Sequence, residues 1–445
     1  MKKVCIVGLG YVGLPTALLA ARAGLKVVGI DTDQARVDLI NTCSLSFEEP
    51  EVLENLHEVC GAQNFYATTT YEQADYFLIS VPVLVKQDAF DLSALTDVAV
   101  HIADVIKKGD TVILESTVPV GTTKSLADVI AQESGLQAGH DFFIAYCSER
   151  ILPGNIFQEL KVNERIIGGL EQNSTQKAAE FYKYFVSGDL YLTDSSTAEM
   201  VKLVETSFYD NKSAFAEQVA GMAEQAGLNP YEVIELANKH PRVSIDQPSC
   251  GVGGHSLPIE PWFLIKSFLQ KSQLLQAARM VNEQRIEQVL QKIIEEVLAF
   301  KERSTKPCTV LLLGLTYKAD VYDLKESAAC FIAQRLAVYQ GVNLLVCDPH
   351  VSKSRLQEPL KDKMISLFGG IDQADLIVGL VAHTQFKTID KRLLQPKKTL
   401  DFCGIFFEPK QESIEQEQFF WPANAYAFES SLIKHKKEIA SKEKS

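Results

Sequence analysis

Val4-Cys-Ile-Val-Gly8-Leu-Gly10-Tyr-Val-Gly13 sets three glycines directly behind a short apolar run and in front of the helical stretch Leu14 to Ala23. In such a turn the first glycine permits the tight bend, the second lets a pyrophosphate approach the backbone, and the third allows helix to pack closely on strand. The N-terminal dipole of that helix then faces the phosphates. Asp31 ends the next apolar strand, 18 residues after Gly13. A carboxylate placed there hydrogen-bonds a ribose 2'-hydroxyl and repels a 2'-phosphate, so NAD is expected rather than NADP. A glycine pattern alone is a common turn; here strand, glycines, helix and acid coincide. Gly8, Gly10, Tyr11, Val12, Gly13 and Asp31 are therefore the expected cofactor contacts.

Working outward, further strand-like runs follow at Lys26 to Ile30, Tyr76 to Val81, Thr111 to Glu115 and Asp141 to Ala145, separated by helical patterns. Strands alternating with helices predict a parallel, doubly wound sheet. From Ser196 the period changes. Ser196-Thr197-Ala198-Glu199 reads as a capping box opening a long helix toward Ala226, which Gly227 and Pro230 stop. A second helical stripe runs through Ile286, Val289, Leu290, Ile293, Ile294, Val297 and Leu298. After the polar linker Lys301 to Lys306, strand patterns resume at Thr309 to Leu313, Asn343 to Val346, Leu376 to Val381 and Thr399 to Phe402. The expected order is an α/β dinucleotide-binding domain (1–195), a central helical domain (196–302), a second α/β domain (307–433) and a frayed Lys-rich tail (434–445).

The 445 residues carry a net charge of -13 and a pI near 5.2, which argues against nucleic acid as a partner. Nine scattered cysteines, several inside apolar runs and none in a Cys-x-x-Cys pair, read as reduced thiols of a cytoplasmic protein. The eight histidines form no metal-ligand spacing, so no metal is expected. Lys2-Lys3 before an apolar stretch has the outline of a signal peptide, but the glycine fingerprint explains that segment better. No other run approaches the length of a membrane span.

Motifs in all three regions give the chain a family resemblance. They are Glu115-Ser-Thr-Val-Pro-Val-Gly-Thr-Thr123, Cys147-Ser-Glu-Arg-Ile-Leu-Pro-Gly154, Ala198-Glu-Met-Val-Lys-Leu-Val204, Asn238-Lys-His-Pro-Arg-Val243, Gly251-Val-Gly-Gly-His-Ser-Leu-Pro-Ile-Glu-Pro-Trp262, Gly314-Leu-Thr-Tyr-Lys-Ala-Asp320 and Asp323-Leu-Lys-Glu-Ser327. Together they resemble the NAD-dependent UDP-glucose/GDP-mannose 6-dehydrogenases, and most of all the UDP-N-acetylmannosamine branch. The resemblance implies two successive NAD-dependent oxidations of a UDP-sugar's 6-hydroxymethyl group to a carboxylate, in surface polysaccharide biosynthesis, by a homodimer or higher homo-oligomer with a C-terminal UDP-binding domain. It implies Glu149 as general base for water, Lys202 as charge stabiliser or proton relay, and Thr117 as a water-positioning hydroxyl. It adds Arg36, Pro82, Ser116, Thr117 and Lys325 to the cofactor contacts. Arg150, Leu152, Lys202, Arg242, Gly251, Gly253, Gly254, His255, Tyr317 and Lys318 become substrate contacts, with Arg242 reaching the neighbouring subunit's site. From spacing, Lys202, Thr206, Tyr209 and Ser213 share one helical face. The glycine loop 251–254 reads as a backbone nest against substrate.

Departures from the family pattern cluster at catalytic positions. Ser256 stands where the resemblance implies a nucleophilic cysteine, Thr206 replaces an asparagine, Glu260 an aspartate, Lys325 an arginine and Ser148 a proline. A serine hydroxyl is a weak nucleophile without an adjacent base, so altered or partial chemistry is expected. Cys250, six residues upstream, is a candidate substitute. An oxidoreductase stopping at the aldehyde or acting at another hydroxyl, and a non-catalytic protein binding NAD and a UDP-sugar, remain as alternatives.

Overall fold

In the computed structural model, which describes residues 1–45, 50–62, 64–86, 89–151 and 154–408, the chain opens with β1 (Lys3–Val7), β2 (Lys26–Ile30), β3 (Phe65–Thr68) and β4 (Tyr76–Ile79). A short antiparallel hairpin follows, β5 (Leu84–Lys86) with β6 (Ala89–Asp91). Then come β7 (Thr111–Leu114), β8 (Phe143–Tyr146), β9 (Arg165–Gly169) and β10 (Leu190–Asp194). Eight of these form one sheet in the order β10-β9-β8-β7-β4-β1-β2-β3. From β3 to β8 it is the doubly wound arrangement, and β4 and β7 are buried at every position, as parallel strands covered on both faces are. The last two strands depart from the all-parallel expectation: β9 runs antiparallel to β8 and carries β10 with it.

The chain reverses its direction of sheet growth between β1 and β4, which is where open α/β sheets leave a ligand crevice. Gly8 follows β1 there, with φ of 90°. A Cβ on Gly8 would sit 2.3 Å from the Ser80 carbonyl oxygen, and one on Gly13 would sit 1.9 Å from that of Gly8. Nothing lies within 4 Å of the place a Cβ on Gly10 would take. Gly8 and Gly13 are thus required by the protein's own packing, whereas Gly10 borders open space where an external group fits.

The first long helix, Ser195–Gln225, is capped by Asp194, whose side chain accepts hydrogen bonds from the Thr197 amide and hydroxyl. The capping-box reading therefore needs correction. Glu199 is fully buried and serves a neighbouring helix instead, accepting from the Gly121 and Thr123 amides and the Thr123 hydroxyl at the start of Thr122–Ser134. A carboxylate satisfies the orphan N–H groups of a helix start whichever chain segment supplies it. The second long helix, Gln273–Lys301, begins thirteen residues before the expected stripe. Its early buried positions are Ala278, Arg279, Asn282 and Arg285, a polar stripe that hydrophobic periodicity does not register. Arg279 pairs with Asp210 at 2.7 Å and Arg285 with Glu217 at 2.8 Å, all four essentially buried.

The second α/β region contains β11 (Cys308–Leu313), β12 (Val342–Cys347), β13 (Leu376–Gly379) and β14 (Lys398–Asp401), an all-parallel sheet in the order β12-β11-β13-β14. Val289, Leu290, Ile293 and Val297 of the second long helix pack into its core beside Val310, Leu312 and Ile332. The end of the expected third domain and the Lys-rich tail lie outside the described residues. Among the described residues no helix is long and apolar enough to cross a membrane. Cys43 and Cys60 are paired as a disulfide, with Cα atoms 6.9 Å apart, so the expectation of nine reduced thiols is corrected for these two. The other seven are free.

Candidate active site and cofactor crevice

Around the glycine turn, Asp31 accepts hydrogen bonds from the Leu9 amide at 3.0 Å and the Asp33 amide at 3.0 Å. Arg36 donates to the Leu9 carbonyl at 2.9 Å. The carboxylate is therefore fixed against the dinucleotide loop, with lone pairs remaining for a ribose hydroxyl. Ser116 is buried and its hydroxyl bridges the Val81 amide and carbonyl, at 2.9 and 2.7 Å. Pro82 is exposed at the rim of the same crevice, and Thr117 is half-buried one residue beyond Ser116. The chain thus brings Gly8, Gly10, Gly13, Asp31, Arg36, Pro82, Ser116 and Thr117 to one end of the sheet, where the open space at Gly10 fits a pyrophosphate.

Beside this crevice, the segment after β8 carries Glu149 to Lys202 on the first long helix. The Lys202 ammonium donates to Glu149 Oε1 at 3.1 Å and to its carbonyl at 3.2 Å, and the Ile151 amide donates to Oε2 at 2.7 Å. Burial opposes ionisation of Glu149, but the Lys202 charge and the Ile151 amide outweigh it and hold the carboxyl below its usual range. Burial likewise opposes the Lys202 cation, and Glu149 and Glu260 overcome it, raising the ammonium's pKa. One turn along, the Thr206 hydroxyl donates to Glu260 Oε2 at 2.5 Å, both residues being buried. Glu260 closes the turn that Ser256 opens, since the Ile259 and Glu260 amides donate to the Ser256 carbonyl at 3.0 and 2.8 Å. Glu149, Lys202, Thr206, Glu260 and Ser256 are therefore joined by consecutive bonded contacts.

The expected polar stripe on that helix is corrected beyond Thr206. Tyr209 is 56% exposed, and the inward row continues through Asp210 and Glu217 instead, because steps of four keep to one face when neighbouring helices cross. Arg150 is bound through its guanidinium to Glu205 on the same helix, and Leu152 lies outside the described residues. Arg242 is exposed; its guanidinium makes no hydrogen bond or ion pair among the described residues, so the chain does not bring it to this cluster. Lys318 and Lys325 are exposed on the second α/β region, with Lys325 3.4 Å from Glu326.

The glycine loop 251–254 has a packing requirement of its own. A Cβ on Gly253 would lie 2.6 Å from the Glu326 carbonyl, and one on Gly254 2.9 Å from the Tyr317 ring. These glycines let the loop lie against the second α/β region. Cys250 is buried in the apolar core beside Val289 and Leu290, and burial followed by the nearby Glu217 charge pushes its thiol up to about 12. That enclosure and suppressed thiolate argue against Cys250 as a substitute nucleophile.

Sequence reasoning missed a buried group beneath Glu149. Arg165 is 1% exposed, donates to the Ser148 carbonyl at 3.2 Å and lies 3.7 Å from Glu115. Burial raises the Glu115 carboxyl to about 7 even with Arg165 beside it. His255, expected as a substrate contact, is paired within the protein as well, its Nε2 lying 2.7 Å from Asp323 Oδ2. Asp320, His350 and His383 have the make-up of a cation site. Both His383 ring nitrogens are engaged by the protein, Nδ1 accepting from the Asp320 amide and Nε2 facing Asp348, so the group reads as a structural corner.

Comparison with known proteins agrees with this architecture throughout. Residues 2–186 match the NAD binding domain of the UDP-glucose/GDP-mannose dehydrogenase family, 196–284 its central domain and 311–408 its UDP binding domain. The chain belongs to that family. It is 40% identical over 415 residues to a UDP-N-acetyl-D-mannosamine dehydrogenase from Campylobacter jejuni, covering 90% of this chain and 99% of that protein. It is 38% identical to an NDP-N-acetyl-D-galactosaminuronic acid dehydrogenase from Ralstonia nicotianae, over 91% of this chain and 96% of that one. Among solved structures, a UDP-D-ManNAc dehydrogenase from Pyrococcus horikoshii superposes with a TM-score of 0.83 at 34% identity, covering 93% and 98% of the two chains. The chain is thus an NAD-dependent nucleotide-sugar dehydrogenase by family, and its cofactor is NAD.

Proposed function

We propose that this dehydrogenase oxidises the 6-hydroxyl of a UDP-N-acetylhexosamine, of the N-acetylmannosamine kind, in surface polysaccharide biosynthesis, and that Ser256 slows the second of the two oxidations. The observation that carries this is the bonded series Glu149–Lys202–Thr206–Glu260, with Ser256 heading the Glu260 turn. Gly8, Gly10, Gly13, Asp31 and Arg36 would hold NAD, which supplies the hydride acceptor when bound.

The protein's part is proton handling and charge. Glu149 is held ionised and each oxygen keeps a lone pair, so it accepts the proton of the substrate hydroxyl or of a water placed by Thr117. Lys202 stays protonated and stabilises negative charge developing on the sugar oxygen. These groups suffice for alcohol to aldehyde. The second oxidation needs the aldehyde held as a tetrahedral adduct. Among the described residues no side-chain base is bonded to the Ser256 hydroxyl, so that adduct forms slowly. NADH and product mass, followed together with UDP-N-acetylmannosamine, test this. About one NADH per sugar with aldehyde accumulating is expected, and Ser256→Cys raises carboxylate output. Rapid uronate formation with two NADH by the unsubstituted chain would overturn the role given to Ser256.

The proposal includes a cytoplasmic homodimer. Phe208, Phe215 and Met222 recur every seventh residue on the first long helix and are 61%, 53% and 62% exposed, a seam that a second copy of the same helix would cover.

A further inference from the structure

The Tyr11 ring of the dinucleotide loop stacks on the His255 ring, with centroids 5.5 Å apart and planes at 12°. On its other side, His255 Nε2 meets Asp323 Oδ2 at 2.7 Å. Asp323 in turn organises its own segment: Oδ1 accepts from the Lys325 amide at 2.8 Å, and its carbonyl accepts from the Tyr317 amide at 3.2 Å. The Gly254 amide donates back to the Lys325 carbonyl at 2.9 Å. His255 therefore touches the NAD-binding region through Tyr11, belongs to the central region's Ser256 turn, and is bonded to the UDP-binding region through Asp323. It is also 47% exposed at the side chain, so it adds little to any core. A half-exposed imidazole held on both sides by separate domains is poorly explained as a stabilising contact.

We propose that His255 is a positioning residue that couples the two ligand sites: a dinucleotide fixing Tyr11 beside Gly10 orders His255, and through Asp323 orders the Tyr317–Lys325 wall and the Ser256 turn. This rests on the reading of the second α/β region as the nucleotide-sugar site. By linkage the coupling is reciprocal, so UDP tightens NAD binding by the factor with which NAD tightens UDP binding. Asp323 is the anion facing the ring, Lys325, Glu326 and Arg355 are the other charges on or against its segment, and Tyr11 stacks on the ring. The bond to an ionised carboxylate makes the Asp323 side the stronger of the two contacts.

The test uses the full chain and the ratio of two affinities. NADH is titrated by fluorescence without and with saturating UDP, in the unsubstituted chain, in H255A and in H255F. UDP should tighten NADH binding by about five- to a hundredfold in the unsubstituted chain, the usual range for coupled sites. In H255A that ratio should fall by about tenfold or to near unity, as loss of one hydrogen bond to a charged group implies. H255F keeps a flat ring on Tyr11 but not the Asp323 bond, and should lose most of the ratio too. General damage to the fold weakens both titrations and leaves their ratio intact. A ratio preserved in H255A, or absent from the unsubstituted chain, would overturn the proposal. Failure of UDP to bind the unsubstituted chain in calorimetry would instead sink the nucleotide-sugar reading beneath it.

Discussion

Replacing Lys202 by Met removes one member of a buried ion pair while keeping a long unbranched side chain in its place. The charges are 3.1 Å apart, with side chains 10% and 14% exposed. At an effective dielectric constant of about 20 their attraction is on the order of 5 kcal/mol. Desolvation offsets part of that, and stranding one buried partner typically costs about 3–5 kcal/mol. Lys202 is the largest of the groups holding Glu149 ionised in the native site, so in Lys202→Met the buried carboxylate loses its main partner and its pKa rises above the unfolded value. The variant then binds a proton on Glu149 in a pH range where the unfolded chain does not, and its stability falls as pH rises through that range. Urea denaturation should therefore show a deficit of about 3 kcal/mol at pH 8 that narrows on acidification toward pH 5.5 (about one unit above the unfolded carboxyl). The double variant Lys202→Met/Glu149→Gln, with the Glu149 charge removed, should recover much of the loss. A deficit that is flat or widens on acidification, or no recovery in the double variant, would refute this account of the pair.

Asp31→Asn keeps an acceptor for the Leu9 amide but loses the charge, so the preference for NADH over NADPH should relax by about tenfold, the scale of one like-charge contact; fluorescence titration of both cofactors measures it. Cys250 should resist iodoacetamide in the native chain while the half-buried Cys330 reacts, read by peptide mass spectrometry, because the Cys250 thiolate is suppressed by burial. Sedimentation at micromolar concentration should show a dimer, and Phe215→Lys with Met222→Lys should convert it to monomer; a monomeric unsubstituted chain would remove the seam argument.

The N-terminal sequence by itself determined the cofactor fold, because the glycine spacing, the flanking apolar run and Asp31 are local requirements of one turn. It also determined the order of regions, since each switch of hydrophobic period is read over a dozen residues. The second long helix was legible only from Ile286 onward; Arg279, Asn282 and Arg285 are buried by partners on another helix, which no periodicity reveals. Glu199 was misread for the same reason: its position fits a cap on its own helix, but its carboxylate finds the open amides of another. The family motifs singled out Glu149, Lys202 and Ser256, but only the tertiary structure joined Thr206 to Glu260, set Tyr11 against His255 and His255 against Asp323, and enclosed Cys250 in the core. Those outcomes depend on which side chains meet across distant segments, and that is fixed by the packing of whole elements rather than by the spacing of residues along the chain.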